Sequence, residues 1–232
     1  METKKVDWQV VILVCSIIII MIMGVRQSLG LFLDPITSFM KSGKEFFSFA
    51  IGVQAIIWGL VTFFLGILID KLGPQKVLAF GIVSYSSGIF LMSNPTSEFV
   101  LFSATTLMGF GLGGAGMATM VSIAGKVAPV NKRSLAMGLV AAAASFGQFA
   151  VVLPTMWMNK EFGWETSLIV LSSISICLLL LLPLLNNTNE NNNNTQDLEN
   201  SLQKTIMFSL KDKNYILLIS GFFVCGFHVT FI

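Results

Sequence analysis

Apolar residues run in long blocks along this chain, and polar residues gather in short stretches between them. Six complete blocks are evident, from Trp8 to Leu33, Phe46 to Ile69, Lys76 to Met92, Phe99 to Ala124, Leu135 to Trp157 and Thr166 to Leu185. A seventh begins near Tyr215 and is still apolar at Ile232. Crossing about 30 Å of hydrocarbon at 1.5 Å per residue takes roughly 20 mainly apolar residues, and the third block is short but adequate. Each complete block therefore predicts a membrane-spanning helix. The first block is not a cleaved leader, because its core far exceeds the roughly 7–15 apolar residues of one and no small-residue cleavage site follows.

Composition agrees. Of 232 residues, 54% are hydrophobic and only 11% charged, whereas a soluble domain carries about 25% charged residues to coat its surface. The three cysteines, Cys15, Cys177 and Cys225, lie inside apolar blocks with no CxxC or Cys/His spacing. Neither a disulfide framework nor a zinc site is supported, and no cofactor, metal or nucleic-acid partner is expected.

The cations alternate by side. Lys4 and Lys5 precede the first helix, Lys71 and Lys76 separate the second from the third, and Lys126, Lys132 and Arg133 separate the fourth from the fifth. Lys204, Lys211 and Lys213 precede the seventh, while only Lys41, Lys44 and Lys160 fall on the opposite side. By the positive-inside rule this places the N-terminus in the cytoplasm, in a multi-pass protein of the plasma (bacterial inner) membrane. From Asn186 to Lys213 the composition turns polar and Asn-rich. That tract has little to bury and reads as a flexible cytoplasmic linker. The expected organisation is a six-helix bundle over residues 1–185, a linker over 186–213 and the start of a seventh helix over 214–232. Six helices, a linker and a new helix are the layout of a transporter built from two six-helix halves. The chain is thus expected to stop before the protein is complete.

Between the second and third helices stands Gly66-Ile67-Leu68-Ile69-Asp70-Lys71-Leu72-Gly73-Pro74-Gln75-Lys76. Gly66 would let a neighbouring helix approach closely, and Gly73-Pro74 forces a tight turn. Asp70 can accept hydrogen bonds from nearby helix ends, and Lys71 and Lys76 hold the loop at the cytoplasmic side. This segment resembles the cytoplasmic loop signature of the major facilitator superfamily. The resemblance implies an all-α membrane protein, whose six-helix half is two inverted three-helix repeats. It also implies that Gly66, Asp70, Lys71, Gly73 and Lys76 form a latch that accompanies alternating access.

A narrower resemblance covers most of the chain. Gly24 to Phe32 with Pro35, Phe47 to Gly73 with Gln54, Trp58 and Gly59, Gly109 to Gly116, and Asn131 to Gly138 are similar to bacterial transporters of the monocarboxylate-transporter-like group. That similarity implies secondary transport of a small organic anion, with a proton or a counter-anion as coupling partner, by a monomer. The fourth helix reads Thr105-Thr106-Leu107-Met108-Gly109 and lacks the Arg that many proton-coupled members carry there. No Asp or Glu lies deep in the six complete helices either. His228, the one histidine, has an ordinary pKa near 6.5 and is the candidate proton carrier, with a packing hydrogen bond as the other reading.

Arg26 is the most informative residue for substrate. Eighteen residues into the first helix, its charge costs several kcal/mol unless it faces a cavity or a partner. It either faces the substrate or snorkels to the outer headgroups. A guanidinium is a planar, permanently charged fork suited to a carboxylate. Gln54 and Gln148 are further candidates, as cavity groups or as interhelical hydrogen bonders. Trp58, four residues after Gln54, shares its face. Gln27 and Ser28 leave the helix in other directions. Gly109 to Gly116 is not a phosphate loop, because no Lys-Ser/Thr follows and the block is apolar. Its four-residue spacing of small residues, like Gly138 and Gly147 in the fifth helix, suits close helix packing, and Pro154 is expected to kink that helix. Three function classes remain: a carrier of organic anions, an exporter of amphipathic compounds on the same fold, and a membrane enzyme or receptor. No nucleophile–base pair or metal cluster supports the last, and an enzyme is not expected.

Overall fold

The computed structural model describes residues 7–185, 212–217, 219–221 and 224, with the side chain of Asp70 left out. Two units are distinguished, with the division after Glu190. In the first, α1 (Trp8–Ser28) passes through a 3-10 turn at Leu29–Phe32 into α2 (Leu33–Met40). There follow α3 (Lys44–Leu72), α4 (Pro74–Met92), α5 (Glu98–Ala115), α6 (Met117–Val127), α7 (Arg133–Phe162) and α8 (Trp164–Cys177), which ends in 3-10 turns over Leu178–Leu185. Six spans are long and apolar enough to cross a membrane: Trp8–Met40, Lys44–Ile69, Pro74–Met92, Glu98–Val127, Val130–Phe162 and Trp164–Leu185. The first is longer than the apolar block by one short helix. Pro35 sits near the start of α2, where a missing N–H costs little.

The spans begin and end on local signals. Asp7 and Ser97 cap α1 and α5 by accepting from Gln9 N and Val100 N, which satisfies amides that a helix start leaves unpaired. Gly73, at φ 83°, ends α3 and leads directly into Pro74, the first residue of α4. That left-handed backbone suits glycine, and proline suits a first helical turn. The tight turn expected from Gly73-Pro74 is therefore present.

Packing follows the small residues. α1 packs chiefly on α7, α3 on α5, and α4 on α5 and α8. Exchanging the first three spans with the last three maps the first pairing onto the second and the third span's contact with the sixth onto itself. Two three-helix repeats produce that pattern. At the α1–α7 contact, a Cβ on Gly24 would stand 2.6 Å from the Gly147 carbonyl oxygen, and one on Gly147 would press on the Ile20 backbone. Gly113 meets Val61, Gly111 meets Tyr85, and Gly81 meets Gly114, all closer than a side chain would allow. The core these contacts close is formed by Ile18, Ile22, Phe32, Tyr85, Ile89, Met108 and their neighbours.

Among the described residues, nothing lies within 4 Å of where a Cβ on Gly66 or on Gly138 would stand. Both are exposed, Gly66 near the end of α3 and Gly138 on α7, so no close helix approach at either is seen among the described residues. Pro154 lies inside α7, which stays helical through it. Thr155, next to it, donates back to the Val151 carbonyl at 2.8 Å.

The second unit is described by itself. Residues 213–217 and 219–221 are helical, and Asp212 caps their start by accepting from Asn214 N at 2.9 Å. The Asn-rich tract up to Lys211 and His228 lie outside the described residues.

Candidate functional site

Arg26 lies near the middle of a 33-residue span, with 14 residues (40 − 26) still to come before Met40. Asp34, eight residues or about 12 Å of helix further on, is exposed and paired with Lys44. The guanidinium turns toward α3, its Cζ 4.9 Å from the centre of the Trp58 ring. Half-buried over an indole face, it gains a cation–π attraction of about 1–2 kcal/mol. Trp58 leaves the charge unneutralised. Among the described residues no Asp or Glu forms an ion pair with Arg26, and the described ion pair is Lys44–Asp34 at 2.6 Å, both side chains well exposed.

The backbone beneath Arg26 is held from a third span. Tyr85 of α4 is fully buried, and its hydroxyl donates to the Ile22 carbonyl at 3.0 Å. That carbonyl is also the one the Arg26 amide takes in a regular helix. Sequence reasoning did not single out Tyr85. The contact joins residues 63 apart, and a tyrosine in an apolar block carries no local mark of it.

The other predicted residues divide. Gln54 sits one helical turn before Trp58, only 2% exposed, and its Nε2 has no hydrogen-bond partner among the described residues. Thr106 Oγ1 on α5 is buried and unpartnered in the same way. The expected proximity of Gln54 and Trp58 is thus met, but Gln54 lies within the α3–α5 contact. Gln148 is on a different flank, where it lines a groove of about 320 Å³ between α1 and α7 together with Gln27. Arg26 and Trp58 therefore form one centre, Gln54 lies beside it, and Gln148 lies across α1.

The span α5–α6 contributes a break. Gly116 is extended, at φ −83° and ψ −169°, between the two helices. The nitrogen of the Trp58 indole stands 3.3 Å from where a Cβ on Gly116 would be. The Thr119 hydroxyl bridges the gap to the Gly113 carbonyl at 3.3 Å. The glycine-rich run is thus the place where the fourth span yields to the Trp58 side chain.

At the other end of α3, Gly73 turns the chain, Lys71 and Lys76 are exposed, and Asp70 is helical with its side chain outside the described atoms. Gln75 donates to the Leu182 carbonyl at 2.8 Å and ties the start of α4 to the end of the sixth span. Lys132 lies over the Trp8 ring at 5.3 Å, joining the start of α1 to the start of the fifth span. Among the described residues no group of His, Cys, Asp or Glu could hold a metal ion.

Six packed, apolar helical spans among the described residues are those of an integral, multi-pass helical membrane protein. The chain matches the family model described as Major Facilitator Superfamily over residues 10–232 and belongs to that superfamily of transporters. It is 23% identical over 210 residues to an uncharacterised MFS-type transporter, YcxA, of Bacillus subtilis, covering 87% of this chain and 50% of that protein. It is 29% identical over 169 residues to the vesicular acetylcholine transporter of Tetronarce californica, covering 72% of this chain and 32% of that one. A third relative is the agnestins efflux protein AgnL12 of Paecilomyces divaricatus, 28% identical over 106 residues, covering 44% of this chain and 24% of that one. The chain thus spans about half the length of its Bacillus relative and less of the other two.

Proposed function

We propose that this protein is a secondary carrier of a small, monocarboxylate-like organic anion, in which Arg26 is the charge that receives the anion. The carrying observation is a guanidinium near the middle of a span, stacked on Trp58 at 4.9 Å and without an acidic partner among the described residues. A charge held there at a cost of several kcal/mol is explained by a water-reached cavity and an anionic ligand. Arginine's fork then binds carboxylate in two parallel hydrogen bonds. Trp58 orients the fork and leaves it free to accept a ligand. Proton or counter-anion coupling and a monomeric state complete the reading, which places the N-terminus in the cytoplasm of a plasma membrane protein. It is supported by the cations at the α3–α4 and α6–α7 links, which the span order puts at the same end. Residues 186–213 serve as the linker to a further helical unit beginning at residue 214.

Export of amphipathic compounds is the second reading, favoured by the apolar groove beside α1 and by a relative named as an efflux protein. Uptake of labelled lactate, pyruvate, formate and oxalate into cells expressing the full-length gene product separates the two. Saturable uptake of one acid that is lost in Arg26→Ala, at equal surface expression, supports the anion carrier. No uptake of any acid, or uptake indifferent to the substitution, returns Arg26 to a structural role and favours export.

A further inference from the structure

The link between α6 and α7 gathers Lys126, Lys132 and Arg133, all exposed, at the end of the bundle where α1 begins. Between Glu98 and Glu161 the sequence holds no Asp or Glu, so α6, the link and nearly all of α7 offer these cations no counter-charge. Among the described residues no carboxylate forms an ion pair with Lys132 or Arg133. Asp7, at the start of α1, is engaged in capping its own helix. The charges also oppose the helix they precede. α7 starts at Arg133 directly after Lys132, with no capping side chain and no acidic residue in its first turn. A helix start already presents partial positive charge, and cations there add to it.

The cluster lies at the bilayer boundary. The Lys132 ammonium rests over the Trp8 ring, 5.3 Å from its centre, and a tryptophan at the end of a span sits at the level of the lipid headgroups. Arg133 lays its stem over the end of α6, its Cγ 4.0 Å from where a Cβ on Gly125 would stand. On either side of the cations, Val130 and Leu135 are 85% and 58% exposed. Exposed apolar side chains beside exposed, unpaired cations match a ligand that is itself anionic at one end and hydrocarbon at the other. An acidic peptide or a nucleic acid would satisfy the charge and leave Val130 and Leu135 in water.

We propose that the α6–α7 link binds the phosphate of an anionic phospholipid. Lys132 and Arg133 hold the headgroup, Lys126 adds to the field, and Val130 and Leu135 meet the acyl chains. Trp8 keeps the Lys132 ammonium at headgroup depth, and the Arg133 fork takes two phosphate oxygens at once. The site is separate from Arg26 and stands whichever substrate the protein carries.

The test titrates the full-length gene product, in dodecyl maltoside, with dioleoyl phosphatidylglycerol or dioleoyl phosphatidylcholine and reads bound lipid by native mass spectrometry. Phosphatidylglycerol should bind the more tightly. The double variant Lys132→Gln/Arg133→Gln should weaken its tightest binding roughly 25-fold, at about fivefold for each cation near the membrane surface, and leave phosphatidylcholine unchanged. Lys41→Gln/Lys160→Gln removes two cations from the opposite end and should leave both lipids unchanged. All four side chains are exposed, so both variants should fold. Inorganic phosphate or glycerol phosphate in excess should not displace the lipid. Displacement by either would make this a site for a soluble phosphate and overturn the lipid assignment. Equal binding of the two lipids, or phosphatidylglycerol binding that the Lys132/Arg133 variant leaves intact, overturns the site. An equal loss in the Lys41/Lys160 variant would assign the effect to net charge and overturn it as well.

Discussion

Replacing Gly147 by alanine tests the helix packing on which the Arg26 centre rests. The new Cβ would press on the Ile20 carbonyl oxygen and stand 2.5 Å from Ile20 Cα. Carbon atoms rest about 3.5–4.0 Å apart, so α1 and α7 must part by about 1 Å or more. A gap of about 0.5–1 Å already forfeits a quarter to a half of the attraction between facing atoms. The obstacle is backbone, which no rotamer change can move aside, so the cost falls near the top of the overpacking range, about 3 kcal/mol. Gly138→Ala is the control on the same helix. Its Cβ meets nothing within 4 Å, and alanine improves helix propensity by up to about 1 kcal/mol. The two variants should differ by about 3–4 kcal/mol, or roughly 10 °C in melting temperature for a bundle of this size. Thermal unfolding followed by size-exclusion chromatography in mild detergent reads the difference. Melting temperatures within roughly 2 °C of each other would refute the close-packed α1–α7 contact.

Further predictions concern single contacts. Gln54→Leu removes a buried amide whose nitrogen lacks a partner among the described residues, so stability should rise by about 1–2 kcal/mol, seen as a higher melting temperature. If Gln54 serves the substrate, the same variant should lose uptake. Tyr85→Phe deletes the hydrogen bond to the Ile22 carbonyl and should cost about 1 kcal/mol, measurable by the same unfolding assay. Gly73→Ala forces a side chain to φ 83° and should cost about 1–2 kcal/mol, with increased hydrogen exchange at the α3–α4 turn.

Much of the fold was legible because membrane spans announce themselves by length and hydropathy alone. The block from Trp8 was read as ending at Leu33, and the helical stretch runs on to Met40, because Asp34, Thr37 and Ser38 are polar residues that continue a helix. Gly73-Pro74 was readable because its chemistry is local. At Gly66 and Gly138 no neighbour is described: a small residue shows only that close approach is allowed, and the partner helix must be seen. Gly147 carried the same signal and does have a partner. Of the site, Arg26 was legible as a charge in an apolar block, and Trp58 as a neighbour of Gln54 on one face. That Trp58 rather than an acid meets Arg26, that Gln148 lies across α1, and that Tyr85 holds the backbone beneath are facts of how distant spans pack. No periodicity along one helix encodes them.

The central claim, that position 26 carries a positive charge into a water-reached anion site, has a direct measurement. Arg26→Cys is made in the full-length gene product with every native cysteine, Cys15, Cys177 and Cys225 included, replaced by serine, and anion uptake is followed before and after a water-soluble, positively charged thiol reagent. The account predicts negligible uptake in the cysteine variant, recovery once the reagent restores the charge, and slower labelling when substrate anion is present. Uptake that survives Arg26→Cys, or a cysteine that the reagent never reaches, would contradict it.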